Sequence, residues 1–231
     1  LSRSFYQDAC HGHAIVYADE ISNRKLRPYI TYPQGNFASP VFHGERPDPM
    51  PHYEMTGNPV SIAFSEQSPP LKMRSFKLYQ DTKEIRDVKI LDKDNDPNRL
   101  LTERQFALFP LQPLEYDTDY RAVFEYRQNG KDRTAEWTFS TQKPDYPYFI
   151  VKGGETLAIE SGQKYFIHWQ DFWCLKQCER YNYRMNRDTQ LDIIERQAGG
   201  IIIRVNGSKG SSIRLMPEGE DRRAITLYLW K

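Results

Sequence analysis

The chain has 231 residues and a mass of 27.3 kDa, enough for one sizeable core or two modest ones. With 27% charged and 39% hydrophobic residues it reads neither as membrane-embedded nor as wholly disordered, and no apolar run approaches the roughly 18 residues that cross a bilayer. Lys plus Arg total 32 against 31 for Asp plus Glu, so net charge gives no general case for nucleic acid or a membrane surface as partner.

Residues 1–27 hold one helical stretch, 1–9, and then mixed sequence. The chain opens at Leu1 without an initiating methionine or a signal segment, and so reads as a processed or trimmed piece. Residues 28–57 are rich in proline and glycine (Pro28, Pro33, Pro40, Pro47, Pro49, Pro51, Gly35, Gly44, Gly57). Fixed φ angles and missing amide donors suppress helix and central strand, which predicts an extended connector. The aromatics Tyr29, Tyr32, Phe37, Phe42 and Tyr53 predict that it is packed down on a surface.

Residues 58–142 read as an Ig-like β-sandwich. Val60, Ile62 and Phe64 alternate with Ser61 and Ala63, the period-two signature of a half-buried strand. Phe76 and Leu78 repeat it, a turn follows at 80–83, and Phe106, Leu108 and Pro110 form a further run. Residues 120–126 form a strong strand that Asn129-Gly130 turns into a hairpin, because both residues tolerate positive φ. The returning strand carries Trp137 and Phe139 on one face. Six or seven short strands in about 85 residues suit two sheets burying each other's apolar faces.

After two prolines at 144 and 147, residues 146–231 read as a second small all-β domain. Gly153-Gly154 and Ser161-Gly162 are hairpin signals, with further turns at Gly199-Gly200 and Asn206-Gly207. Within it, 171–188 is aromatic, basic and cysteine-bearing, and reads as a loop or short helix. The fold class expected is therefore mainly β: an N-terminal remnant, a linker, an Ig-like sandwich and a second β-domain.

Several groups bear on function. Asp92, Asp94 and Asp96 alternate, and Glu103 stands at the twelfth place from Asp92, a spacing that offers hard oxygens to calcium. Pro97 sits where an EF-hand needs glycine, and the same residues make an Asx-rich turn in which side chains bond local amides; both readings stand, and no other cofactor is expected. His11-Gly-His13 offers two imidazoles without a third ligand, and His43 and His52 read as surface residues. His168, between Ile167 and Trp169, is expected to face solvent. Cys174 and Cys178, four apart, read as a local disulfide in an oxidising compartment or as inert thiols. Thioredoxin-like chemistry wants two intervening residues, zinc wants a second pair, and Cys10 lies far upstream. The richest surface candidate joins Trp169, Asp171, Trp173, Tyr181, Tyr183 and Arg184. Planar aromatics beside charge suit a sugar, a peptide or a protein, and the same tryptophans equally suit a small domain's core. No nucleophile elbow, phosphate loop or dinucleotide motif occurs.

Leu1-Ser-Arg-Ser-Phe-Tyr6 and Ala18-Asp-Glu-Ile21, then Phe42-His-Gly-Glu-Arg-Pro-Asp-Pro49, Asn95-Asp-Pro-Asn98, Gln105-Phe-Ala-Leu-Phe-Pro-Leu111 and Trp137-Thr-Phe-Ser-Thr141, together resemble secreted bacterial members of the CAP superfamily (cysteine-rich secretory, antigen 5, pathogenesis-related). The likeness spans roughly residues 1–142, as the tail of the CAP domain, its proline-rich linker and an Ig-like domain. It implies an extracytoplasmic protein, secreted or periplasmic, which favours the disulfide. It leaves the family's cleft residues upstream of Leu1. The expected function is a non-catalytic accessory module that recognises a cell-envelope glycan or a protein partner, with no nucleic acid and no membrane-spanning segment. The alternatives are a hydrolase acting on an envelope polymer through an interdomain carboxylate cleft, and a purely structural spacer.

Overall fold

The computed structural model describes residues 28–170, 172–173, 180–185 and 188–231. The chain divides into two compact units between Lys143 and Pro144. The described residues are strands and turns, with a single 3-10 turn at Asp221–Arg223 and no α-helix. They do not form the helix-bearing α-β-α layers of a CAP domain. The helical stretch expected at 1–9 lies outside the described residues.

The first unit contains β1 (Tyr29–Tyr32), β2 (Gly35–Ala38), β3 (Val41–Phe42), β4 (Thr56–Gly57), β5 (Val60–Phe64), β6 (Leu71–Gln80), β7 (Lys83–Ile85), β8 (Val88–Leu91), β9 (Gln105–Pro110), β10 (Asp119–Gln128) and β11 (Lys131–Thr141). One sheet runs β1-β5-β9-β8 and the other β2-β11-β10-β6-β7, with β3-β4 a small separate hairpin. Lettered in chain order with that hairpin set aside, the sheets are A-B-E-D and A′-G-F-C-C′, the strand order of an Ig-like sandwich. The alternation read in the sequence places Val60, Ile62 and Phe64 of β5 and Phe76 and Leu78 of β6 in one core around Phe124. Phe76 meets Phe124 edge-on, with ring centroids 5.2 Å apart. Asn129 and Gly130 take φ of 52° and 75°, so the β10–β11 hairpin turns where expected.

The proline-rich stretch is more than a connector. β1 pairs antiparallel with β5, and β2 pairs parallel with β11, so four-residue strands between prolines add an edge to each sheet. Proline is tolerated there because an edge strand needs ladder bonds on one side only. Residues that follow build a satellite core in which Phe42 and Met50 pack with Leu91, Leu101, Ala107 and Phe109.

The second unit contains β12 (Tyr148–Val151), β13 (Thr156–Ile159), β14 (Lys164–Trp169), β15 (Tyr181–Met185), β16 (Thr189–Gln197), β17 (Gly200–Gly207), β18 (Ser212–Pro217) and β19 (Ile225–Leu229). Its sheets run β12-β14-β17-β16 and β13-β19-β18-β15, again A-B-E-D and A′-G-F-C. The core joins Ile159, Ile167, Trp169, Ile201, Ile203, Leu215 and Leu227. Gly153-Gly154 does not close a hairpin. β12 pairs parallel with β14 while β13 crosses to the other sheet and pairs parallel with β19. Gly199-Gly200 does turn one strand into the next, since Gln197 pairs with Gly200.

Both units use the same local lock. The Glu115 amide donates to the Tyr120 hydroxyl at 2.9 Å, and the Glu160 amide to the Tyr165 hydroxyl at 3.0 Å. The first stands at the start of strand F, the position of a tyrosine corner; the second stands at the A′–B corner. Each follows a buried Leu114 or Ile159 and a glutamate. Tyr120→Phe keeps the ring stacked on Phe139 and removes only the hydroxyl, so a urea melt should show a loss of about 1–2 kcal/mol. Burial pushes the Tyr120 phenol above its usual range and Tyr116 up to about 12. A raised folded-state value means the neutral form is held. The associated stability is present below about pH 10 and lost as pH climbs through the raised values. Alkaline unfolding of the first unit above pH 10, made shallower by Tyr120→Phe, is the expected result.

Candidate functional site

The aromatic patch expected from the sequence is divided by the fold. Tyr165, Ile167 and Trp169 share the inner face of β14, and Trp169 is fully buried. Its indole N–H donates to the Arg223 carbonyl at 2.8 Å. The Arg223 guanidinium donates to the Gln170 carbonyl at 2.9 Å and lies 4.9 Å from the Phe172 ring centre. The 3-10 turn thus locks the corner where β14 ends. Tyr181 is also core, 5.7 Å from Trp169 between ring centroids. Burial pushes its phenol up to about 12, with the Arg196 charge pulling the other way.

Trp173 packs over the outer face of the same sheet. Its ring centroid is 4.8 Å from that of His168, and it lies so close to Gly199 that a Cβ there would enter the indole. His168 is therefore fully buried rather than solvent-facing, with Nδ1 donating to the Gly199 carbonyl at 2.6 Å. A Cβ on Gly200 would meet the Ile167 carbonyl, so glycine lets β17 lie against β14 at this point. Strict alternation misplaced His168 because β14 is covered on both faces, one of them by a residue five positions later.

Among the described residues of the patch only Tyr183 and Arg184 are exposed, on β15 at the edge of its sheet. Between β15 and β16, the edge strand of the opposing sheet, runs a shallow groove lined by Tyr181, Tyr183, Leu191, Ile193, Arg180 and Arg196. Asp171, Cys174 and Cys178 lie outside the described residues, as do His11, His13 and Cys10.

The four carboxylates expected to offer oxygens to calcium do not converge on a metal site. Asp92 Oδ1 accepts the amides of Asp94 and Asn95 at 3.0 and 3.2 Å, which is an Asx turn. Asp96 is buried and accepts amides from Asn98, Leu100 and Leu101. Glu103 instead pairs with Lys93, whose hydrogen bond and charge hold its carboxyl below the usual range. Among the described residues no group of three or more His, Cys, Asp or Glu side chains is arranged to hold a metal ion. No described helix is long and apolar enough to cross a membrane.

No family model and no curated protein matches the chain, which overturns the CAP likeness read from its motifs and, with it, the support that likeness lent to a Cys174–Cys178 disulfide. Among solved structures it is similar to domains 4 and 5 of the S-layer protein SbsC, at 13% identity and a TM-score of 0.24, covering 69% of this chain and 100% of that one. It is similar to a titin fragment at 11% identity and a TM-score of 0.26, over 86% and 95% of the two chains. It is also similar to an endo-fucoidan hydrolase of glycoside hydrolase family 107, at 8% identity and a TM-score of 0.25, over 70% of this chain and 24% of that one. The tandem Ig-like fold rests on the strand order of the two units.

Proposed function

We propose that this chain is a non-catalytic binding module of an extracytoplasmic protein, acting through an exposed strand surface of its second unit. One observation supports the reading above others: the buried polar side chains that the sequence singled out are engaged with their own backbone, as at Asp96, Trp169 and His168, while the buried Trp137 indole N–H has no partner among the described residues. Recognition is then left to exposed side chains, which among the described residues of the patch are Tyr183, on the groove side of β15 with Tyr181, and Arg184, on the opposite face. The two units, 58–142 with its preceding strands and 146–231, act as separate modules of this tandem.

Sedimentation with purified envelope polysaccharide and peptidoglycan tests the reading. The expected result is cosedimentation that weakens in Tyr183→Ser, with no new reducing ends released on long incubation. Release of soluble fragments would make the chain a hydrolase, and absence from every envelope fraction would leave it a spacer. Fractionation of the producing cells should place it outside the cytoplasm.

A further inference from the structure

The outer faces of the two G-F-C sheets differ in how their charges are balanced. In the first unit Arg121 meets Glu136 at 3.6 Å and covers Tyr79 at 4.5 Å, Lys77 faces Glu84 at 3.9 Å, and Ser75 donates to Glu125. Each of those two cations has an acidic neighbour on the same sheet. In the second unit the sheet β13-β19-β18-β15 contains no Asp or Glu in any of its strands. It does contain two arginines, and the register sets them directly opposite each other, Arg184 on β15 against Arg214 on β18. Both are exposed, and neither forms an ion pair among the described residues. Side chains directly opposite on antiparallel strands stand about 5 Å apart at Cβ, and like charges in that position repel.

Around this pair the same face carries short hydroxyl side chains and aromatics. Thr226 continues the row from Arg214 across β19, and Tyr228 stands on the next outward position, 39% exposed. Trp230, two residues further on, is 45% exposed. The short hydroxyls of Ser212 and Thr226 flank these groups. Two guanidinium forks take a carboxylate or sulfate oxygen pair in bidentate fashion. Tyr and Trp rings offer apolar faces with a polar edge, and short hydroxyls and amides bond to hydroxyl-rich ligands. A protein partner generally asks for an apolar centre ringed by polar groups, which this face lacks.

From this charge complementarity we infer that the β13-β19-β18-β15 face binds an anionic polysaccharide, with Arg184 and Arg214 clamping its acidic groups and Tyr228 and Trp230 bearing the sugar rings. The inference rests on the binding reading above and names its ligand class. Affinity electrophoresis of the full chain tests it, in gels containing alginate, dextran sulfate or neutral dextran. Retardation by alginate, by dextran sulfate or by both, and not by neutral dextran, is expected; alginate alone would specify carboxylates, and dextran sulfate alone would specify sulfate esters. The double variant Arg184→Ser/Arg214→Ser should bind about tenfold or more weakly, and Tyr228→Ser should weaken binding with its charge unchanged. Lys83→Ser/Lys131→Ser, which removes two exposed charges from the first unit, should leave retardation as it was. Equal loss in the two double variants would reduce the effect to net charge and overturn the inference. So would stronger retardation by single-stranded DNA or by an acidic protein, or none by either polysaccharide. If polyanions fail while envelope cosedimentation persists, the ligand class falls and the binding module stands.

Discussion

Trp169→Ala should lower the stability of the second unit by about 3–5 kcal/mol, a loss large enough to leave much of a marginal domain unfolded at ambient temperature. The side chain is fully buried between Tyr181 and the strands of both sheets, so truncation removes apolar contact and opens a cavity. It also leaves the Arg223 carbonyl without its indole donor, loosening the turn whose arginine covers Phe172. Trp169→Phe separates the contributions. It keeps most of the bulk and loses the N–H, so its cost should be nearer 1–2 kcal/mol. Guanidinium melts followed by far-ultraviolet circular dichroism measure both. Unchanged stability together with lost ligand binding would return Trp169 to the recognition surface.

Asp96→Ala should cost the first unit about 3 kcal/mol, the larger part of it from stranded backbone donors rather than from lost charge. One carboxylate accepts from Asn98 at 3.0 Å, Leu100 at 2.7 Å and Leu101 at 3.0 Å, and Asn98 in turn donates to the Asp48 carbonyl at 2.8 Å. Asp96 therefore shapes the loop that delivers Leu101 to the satellite core beside Phe42 and Met50. Asp96→Asn retains one acceptor oxygen and should lie between the two. Millimolar calcium should leave the wild-type melting temperature unchanged. A rise of several degrees on adding calcium would give these oxygens a second role as ligands.

Period-two alternation made the long strands legible. β5, β10 and β11 alternate cleanly because one face meets the core and the other meets water. The Asn129-Gly130 turn was equally clear, since its φ values need those residue types. β1, β2, β12 and β13 carried no such signal. They are four residues long, and three of their pairings are parallel contacts with strands distant in sequence. Nothing local distinguishes β1 and β2 from a connector, and nothing local names the parallel partners of β12 and β13, so the proline-rich stretch passed for a linker and Gly153-Gly154 for a hairpin.

The candidate site was legible only in part, for a related reason. Aromatic content marked 169–184 as important without saying which rings face inward. Parity did carry that signal for Trp169, which falls in step with Tyr165 and Ile167, and it failed for His168 because a second layer covers that face. Arg214 and Tyr228 escaped notice although their strands lack any acidic residue, because the meaning of that composition depends on β15, β18, β19 and β13 being neighbours.

Hydrogen exchange on two single variants is the most direct test of two self-contained Ig-like sandwiches carrying separate roles. Phe124→Ala removes the centre of the first core and Trp169→Ala that of the second. Amides of β5, β9 and β10 should lose protection in the former alone, and those of β14, β17 and β18 in the latter alone. Loss of protection across both sets of strands in either variant would mean one shared cooperative core and would contradict the two-module reading.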